Sequence, residues 1–190
     1  MLRQPLEDGV VTIVRSAGRV TYPARFMLVC AMNPCKCGWY GHPSGRCRCT
    51  QQEVQRYLKR LSGPLLDRID LQISVQPVPL ESLVGRKPAE SSADIRKRVV
   101  AARERQNKRY EGTAIRCNAQ MNSAQLAQYG QPDEAGQALL NAAFERMGMT
   151  ARSYDRVIRV ARTIADLDGV ETISASHIAE AVQYRFPEMV

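Results

Sequence analysis

Cys35, Cys37, Cys47 and Cys49 form two Cys-x-Cys pairs with nine residues between them, so four sulfurs fall within fifteen positions. Closely spaced thiolates suit a structural zinc ion, which takes a tetrahedral set of soft ligands. The turn-forming stretches Gly38-Trp39-Tyr40-Gly41 and Pro43-Ser44-Gly45 let the intervening chain fold back. Free thiols and redox chemistry are the competing readings, because paired zinc cysteines more often have two or more residues between them. His42 is a loop residue by position and an alternative ligand by type. Cys30 reads as a core residue, and Cys117 has no evident partner.

Three further features bear on phosphate. Asn33 follows the apolar run of residues 26–32 and precedes Pro34. A neutral amide at the carboxyl end of a strand can hydrogen-bond a phosphate oxygen or orient a water; an Asn-Pro turn that ends the strand is the plainer reading. Arg68 stands between Leu65-Leu66 and Leu71, and its permanently charged fork suits a transferring phosphoryl group on a neighbouring subunit. An ion pair with Asp67 or Asp70 is the alternative. Arg152, Arg156, Arg159 and Arg162 recur on one face of a helical stretch. Their mutual repulsion calls for an anion, whether nucleotide phosphate, DNA or the acids of another helix. A separate basic helix from Asp94 to Tyr110 carries Arg96, Lys97, Arg98, Arg103, Arg105, Lys108 and Arg109 against Asp94 and Glu104. It fits either phosphate-backbone contact or a solvated linker helix.

The elements holding these residues change character along the chain. Residues 10–14 and 19–22 are β-rich runs around Ser16-Ala17-Gly18, the pattern of a hairpin. The uninterrupted apolar run 26–32 reads as a strand covered on both faces of a parallel sheet, and residues 71–75 as another. Between them Thr50 and Glu53 have capping-box spacing, and Val54, Tyr57, Leu58 and Leu61 recur at helical intervals before Ser62-Gly63-Pro64. Beyond a Pro/Gly/Ser-bearing linker from Gln76 to Ser92, everything reads helical. After the basic helix come Asp133 to Met147, stopped by Gly148, a helix capped by Thr150 and running to Asp168, and a last one capped by Ser174 and ending near Arg185. The pattern predicts an α/β lobe over 1–79, a linker and basic helix over 80–122, and a helical lobe over 123–190.

Composition narrows the class. The 190 residues are 44% hydrophobic, enough for a sizeable core, and carry a net charge of +8, which favours an anionic partner. Aromatics at 6% argue against a base-stacking RNA-recognition sheet. No stretch approaches the roughly 18 consecutive apolar residues of a membrane span, and residues 1–8 lack the apolar run of a signal peptide. A cytoplasmic protein with reduced or metal-bound cysteines and no membrane partner is expected. No Gly-x-x-x-x-Gly-Lys-Ser/Thr occurs, and no apolar strand ends in Asp-Glu, so this chain by itself is expected not to hydrolyse ATP.

Several stretches together resemble the ComM/YifB group of magnesium-chelatase-like AAA+ proteins. They are Leu2-Arg3-Gln4-Pro5-Leu6-Glu7-Asp8-Gly9, Pro23-Ala24-Arg25-Phe26, Ala31-Met32-Asn33-Pro34-Cys35, Ser62-Gly63-Pro64-Leu65-Leu66-Asp67-Arg68-Ile69-Asp70, residues 115–121 and residues 159–167. The similarity runs over nearly the whole chain, and the cysteine pairs resemble that group rather than AAA+ proteins at large. The resemblance implies an α/β class fold, a partial AAA+ P-loop-type lobe followed by an all-helical lid. It implies Asn33 as sensor 1, Arg68 as a finger acting across a subunit interface, and Arg152 as sensor 2, with Arg156 competing for that role. The hairpin becomes the presensor-1 hairpin facing a ring's pore, with Arg15 and Arg19 as DNA contacts. ATP with Mg2+, DNA and a hexameric homo-oligomer are the implied cofactor and partners, in branch migration during natural transformation.

The group's phosphate-binding loop and its N-terminal protease-like domain have no counterpart in these residues, so the chain reads as part of a longer polypeptide or as a shortened gene product. Two rival functions remain: a zinc-bearing DNA-binding module without motor activity, and the ATPase subunit of a magnesium chelatase, although nothing resembles a tetrapyrrole site. Asn33 within the hydrophobic interior, or Arg68 locked into a buried intrachain ion pair, would end the motor reading.

Overall fold

Local signals account for most of the helices and for the hairpin. In the computed structural model, which describes residues 2–78 and 89–185, the chain divides into two compact units, one of residues up to Ile69 and one from Asp70 onward. The protein is mixed α/β, with a two-stranded sheet and several helices.

The first unit opens with α1 (Arg3–Asp8), closed by Gly9 at a φ of 65°, whose N–H donates to the Pro5 carbonyl. This left-handed cap is cheap only for glycine. It turns the chain directly into β1 (Val10–Arg15), which pairs antiparallel with β2 (Gly18–Pro23) from Val10↔Pro23 to Arg15↔Gly18. Thr12 and Thr21 meet across the pair through their hydroxyls at 3.1 Å. The hairpin matches its sequence pattern, yet every residue of β2 is exposed. α2 (Gln51–Leu58) begins at the expected capping box: Thr50 accepts from the Glu53 N–H, and the Glu53 carboxylate accepts from the Thr50 N–H at 2.9 Å. Val54 is its buried residue, and the helix ends before Leu61. A single turn, α3 (Gly63–Leu66), follows with Pro64 at its start.

The expected strands at 26–32 and 71–75 do not form. Both stretches are irregular, and Met27, Val29, Ile73 and Val75 are 87%, 80%, 67% and 87% exposed. A parallel strand needs neighbours on its edges to satisfy N–H and C=O groups, and covering elements on both faces. Among the described residues nothing supplies either. Cys30, expected in the core, is exposed for the same reason.

The second unit is helical: α4 (Ser92–Arg109), α5 (Ser123–Tyr129), α6 (Glu134–Met147), α7 (Ala151–Asp168) and α8 (Ala175–Arg185). Caps set nearly every boundary. Ser91, Asn122, Asp133 and Thr150 accept from backbone N–H groups at the starts of α4 to α7, while Gly148 and Gly169 close α6 and α7. Ahead of α8 the Ser174 N–H donates to His177 Nδ1 at 2.9 Å. α7 is the spine of the core: Val157, Ile158, Ala161, Ile164 and Ala165 pack with Leu140 of α6, Ile178 and Ala181 of α8, and Tyr110, Met121, Met149 and Ile173. α5 was not foreseen; with only Leu126 buried, its periodicity is weak, although Asn122 and Gln125 form a capping box.

A polar hub ties α4 to α7. Asp166 is fully buried and is gripped by both Arg109 nitrogens, at 2.8 and 2.5 Å, by Asn118 Nδ2 at 2.8 Å, and by Arg162 at 3.2 Å. Tyr110 donates to Asn118 at 2.7 Å, and Arg105 to the Asp166 carbonyl at 3.1 Å. Burial alone pushes the Asp166 carboxyl up. The hydrogen bonds from Arg109 and Asn118, with the charges of Arg109 and Arg162, outweigh it and hold the group below the ordinary carboxylate range. The basic helix therefore turns part of its charge inward, onto α7.

Candidate functional site

Backbone turns bring the four paired cysteines together. Gly38, at a φ of 80°, donates its N–H to the Cys35 carbonyl at 3.1 Å, and the His42 and Gly45 N–H groups close further turns onto Trp39 and His42. The sulfurs of Cys35, Cys37, Cys47 and Cys49 all lie within 4.8 Å of one another. Cys35–Cys37 is 3.3 Å, Cys37–Cys49 3.5 Å, Cys37–Cys47 3.7 Å and Cys35–Cys47 3.9 Å. Zinc–sulfur bonds of about 2.3 Å in a tetrahedron put sulfurs roughly 3.8 Å apart, so one ion fits among them. A disulfide needs about 2.0 Å, and none of the cysteines is bridged. These four residues could hold a metal.

The backbone favours thiolates here. The Trp39 N–H, then the Cys35 thiol and the Arg48 N–H, draw Cys37 down to about 6. At Cys49 a backbone hydrogen bond from Cys37 pulls the same way, but the Cys37 thiol, burial and the charge at Cys35 push it up to about 12. Four sulfurs this close resist ionising together. His42 is a loop residue: its Nδ1 accepts from the Ser44 N–H at 3.0 Å, and its ring meets Trp39 edge-on at 4.9 Å.

The phosphate candidates lie in different surroundings. Asn33 is exposed and sits at the foot of the cysteine loop, its side chain 3.8 Å from where a Cβ on Gly38 would stand. It is in an irregular segment, not at a strand end. Arg68 is largely withdrawn from solvent, at 12% side-chain exposure, with Nη2 on the Glu7 carboxylate at 2.6 Å and Nη1 donating to the Pro64 carbonyl. Glu7 of α1 is thus a partner of Arg68, a pairing across the unit that sequence proximity gives no way to find. Arg15 and Arg19 flank the hairpin turn, exposed, and neither forms an ion pair with a described residue.

The four arginines of α7 separate. Arg152 is exposed in the first turn, and Arg156 pairs with Asp70. Arg159 clasps the Met121 carbonyl through Nε and Nη2 at 3.1 and 2.8 Å, while buried Arg162 holds the Val170 and Glu171 carbonyls together with Asp166. The last two are structural, so repulsion along this face is relieved largely inside the chain. Asp166 was missed in the sequence, where its spacing of four from Arg162 on an inward-facing arc was the available signal.

Residues 1–83 match the family described as magnesium chelatase, subunit ChlI, and residues 89–185 match magnesium chelatase, subunit ChlI C-terminal. YifB of Escherichia coli, described as uncharacterized, is 41% identical over 186 residues, which is 97% of this chain and 35% of that protein. Competence protein ComM of Haemophilus influenzae is 41% identical over 185 residues, again 97% of this chain and 35% of the relative. YifB of Salmonella typhimurium is 39% identical over 186 residues, with the same coverage. The chain therefore spans about a third of the length of the curated relatives it matches. With both units matched, the chain belongs to the magnesium-chelatase subunit ChlI family and is similar to YifB and ComM along nearly its whole length.

Proposed function

We propose that this chain supplies the sensing and DNA-facing parts of a ring-forming AAA+ ATPase of the ComM kind, acting in DNA recombination. The observation that carries the reading is the hairpin, which stands exposed with Arg15 and Arg19 at its tip. A β-ribbon with a cationic end suits the phosphate backbone of DNA passing through a ring. In this reading Asn33 is sensor 1, Arg152 (or Arg156) is sensor 2, and the cofactor is ATP with Mg2+.

Arg68 takes the finger role only by exchanging partners. Its guanidinium already holds an anion, the Glu7 carboxylate, whose Oε2 stands in for a phosphoryl oxygen. Assembly would have to replace Glu7 by the neighbour's nucleotide. In the full-length protein Arg68→Ala should lower DNA-stimulated ATPase on the order of 10³-fold, whereas Glu7→Gln should keep or raise it. ATPase near the parent level in Arg68→Ala would remove the finger assignment, leaving Arg68 as a clasp between α1 and α3.

Cys35, Cys37, Cys47 and Cys49 favour a zinc ion that holds residues 35–49 in place. It would cross-link the loop and supply no reaction step. This also supports the second reading, a zinc-bearing DNA-binding module without motor activity, which needs the loop and the basic residues but none of the nucleotide roles.

A further inference from the structure

The cysteine loop and α2 are strongly basic. Residues 36–60 contain Lys36, Arg46, Arg48, Arg56, Lys59 and Arg60 against one acid, Glu53, a net +5 of the chain's +8. Glu53, hydrogen-bonded to the Thr50 N–H and hydroxyl, offsets one of these six charges. Lys36, Arg56 and Arg60 line one shallow cleft of about 170 Å³ with Tyr57 and Glu53. All three cations are exposed, and none forms an ion pair with a described residue. Three residues after Lys36, in the cysteine loop, stands Trp39, 37% exposed, with the Arg46 guanidinium 5.1 Å from the centre of its ring.

Cations alone would suit any polyanion. Cations next to an exposed indole suit phosphates that carry flat bases, because base–aromatic stacking tolerates any sequence and arginine adds to the stack. Bases are open to such a platform only where they are unpaired. We propose that the cysteine-held loop and the end of α2 form a binding surface for single-stranded nucleic acid, with Lys36, Arg56 and Arg60 on the phosphates and the Trp39–Arg46 pair against a base. The inference shares the nucleic-acid partner of the preceding reading but needs none of its nucleotide roles, nor the hairpin.

Trp39 is the sole tryptophan, so its emission reports on the site directly. The chain is titrated with oligothymidylate of about twenty nucleotides over a salt series. Emission should be quenched at saturation. Three phosphate contacts at about 0.7 each give a share of roughly 2 in the slope of log affinity against log salt. Lys36→Ala/Arg56→Ala/Arg60→Ala should remove that share and weaken binding roughly tenfold or more, with metal content and helical circular dichroism kept. Trp39→Leu should weaken binding by about tenfold while leaving the salt slope in place. Unchanged affinity and slope in the triple variant overturn the proposal, as does unquenched emission at saturation. Equal competition by polyglutamate of matched charge also overturns it, and assigns the patch to an acidic protein. Arg15→Ala/Arg19→Ala separates the two readings. Loss there with an intact triple variant sinks the loop site and keeps the hairpin, and the reverse pattern does the opposite.

Discussion

The first unit carries most of the chemistry-bearing residues and little apolar core, while the second carries the core. In the second, α7 presents an apolar arc that four other helices and their connections cover, and the buried charges close on one another around Asp166. In the first, only Cys35 and Val54 count as well-buried hydrophobic residues among those described, and the apolar run 26–32 lies open. Helices satisfy their own backbone and need a single covered face. Strands need partners from elsewhere in the sequence. The helical unit therefore finds its fold within its own residues, whereas the described part of the first shows, in place of a broad core, the Arg68–Glu7 pair and a cluster of four free cysteines.

If that contrast is right, the first unit should be far more sensitive to metal than the second. Zinc held by four thiolates contributes on the order of 10 kcal/mol of apparent binding, which becomes folding free energy for whatever it organises. Chelation of the zinc-loaded chain should abolish amide-exchange protection across residues 35–49, while the helical circular dichroism of α4 to α8 persists. Purified chain that binds no stoichiometric zinc, or Cys35→Ser chain that binds it as tightly as the parent, would break the comparison at its strongest point. Cys35 is the most buried of the four, at 1% exposure.

The second unit has its own weak point in the Asp166 hub. Asp166→Asn leaves Arg109 and Arg162 partly buried with no countercharge, a change that costs about 3–5 kcal/mol. Urea unfolding should read that loss. The pH dependence follows from the sign of the shift. The folded carboxyl sits below its unfolded value of about 3.9, so its contribution is complete above that value and fades as pH falls through the lowered folded value. Asp166→Asn should therefore flatten the acid limb of the stability curve while lowering the plateau. A variant as stable as the parent at neutral pH would make the hub incidental.

How much of this was legible depends on the range of the interaction. The boundaries of α6, α7 and α8 were readable because Gly148, Thr150, Gly169 and Ser174 act within a few residues of themselves. The clustering of the four cysteines was readable because sulfurs of such short spacing are local too. Glu7 on Arg68, Arg159 on the Met121 carbonyl and Arg109 on Asp166 join positions far apart in the sequence, and a cation's type does not disclose its partner. Four arginines on one helix face looked like a demand for an outside anion, yet the chain answers most of it internally.

The two apolar runs are where pattern and structure part most sharply, and they allow the smallest but most discriminating measurement. Val29 is 80% exposed, so Val29→Ser in this chain removes almost no buried surface. Its stability should change by less than about 0.5 kcal/mol, as for an ordinary surface position. The sequence pattern of residues 26–32 nevertheless belongs to a strand covered on both faces, and the relatives matched here are about three times as long as this chain. In a polypeptide of that length, extra strands and helices can pair with and cover the run. The same substitution would then place a hydroxyl in a core and cost upwards of about 1–3 kcal/mol. A near-zero effect in both contexts would mean the run stays uncovered and that its apolar character serves a surface. A large effect in the 190-residue chain would mean the run is already covered there. An effect that grows only with chain length identifies residues 26–32 as half of a sheet whose other half lies in different residues, and explains why the unit richest in candidate chemistry has the thinnest core.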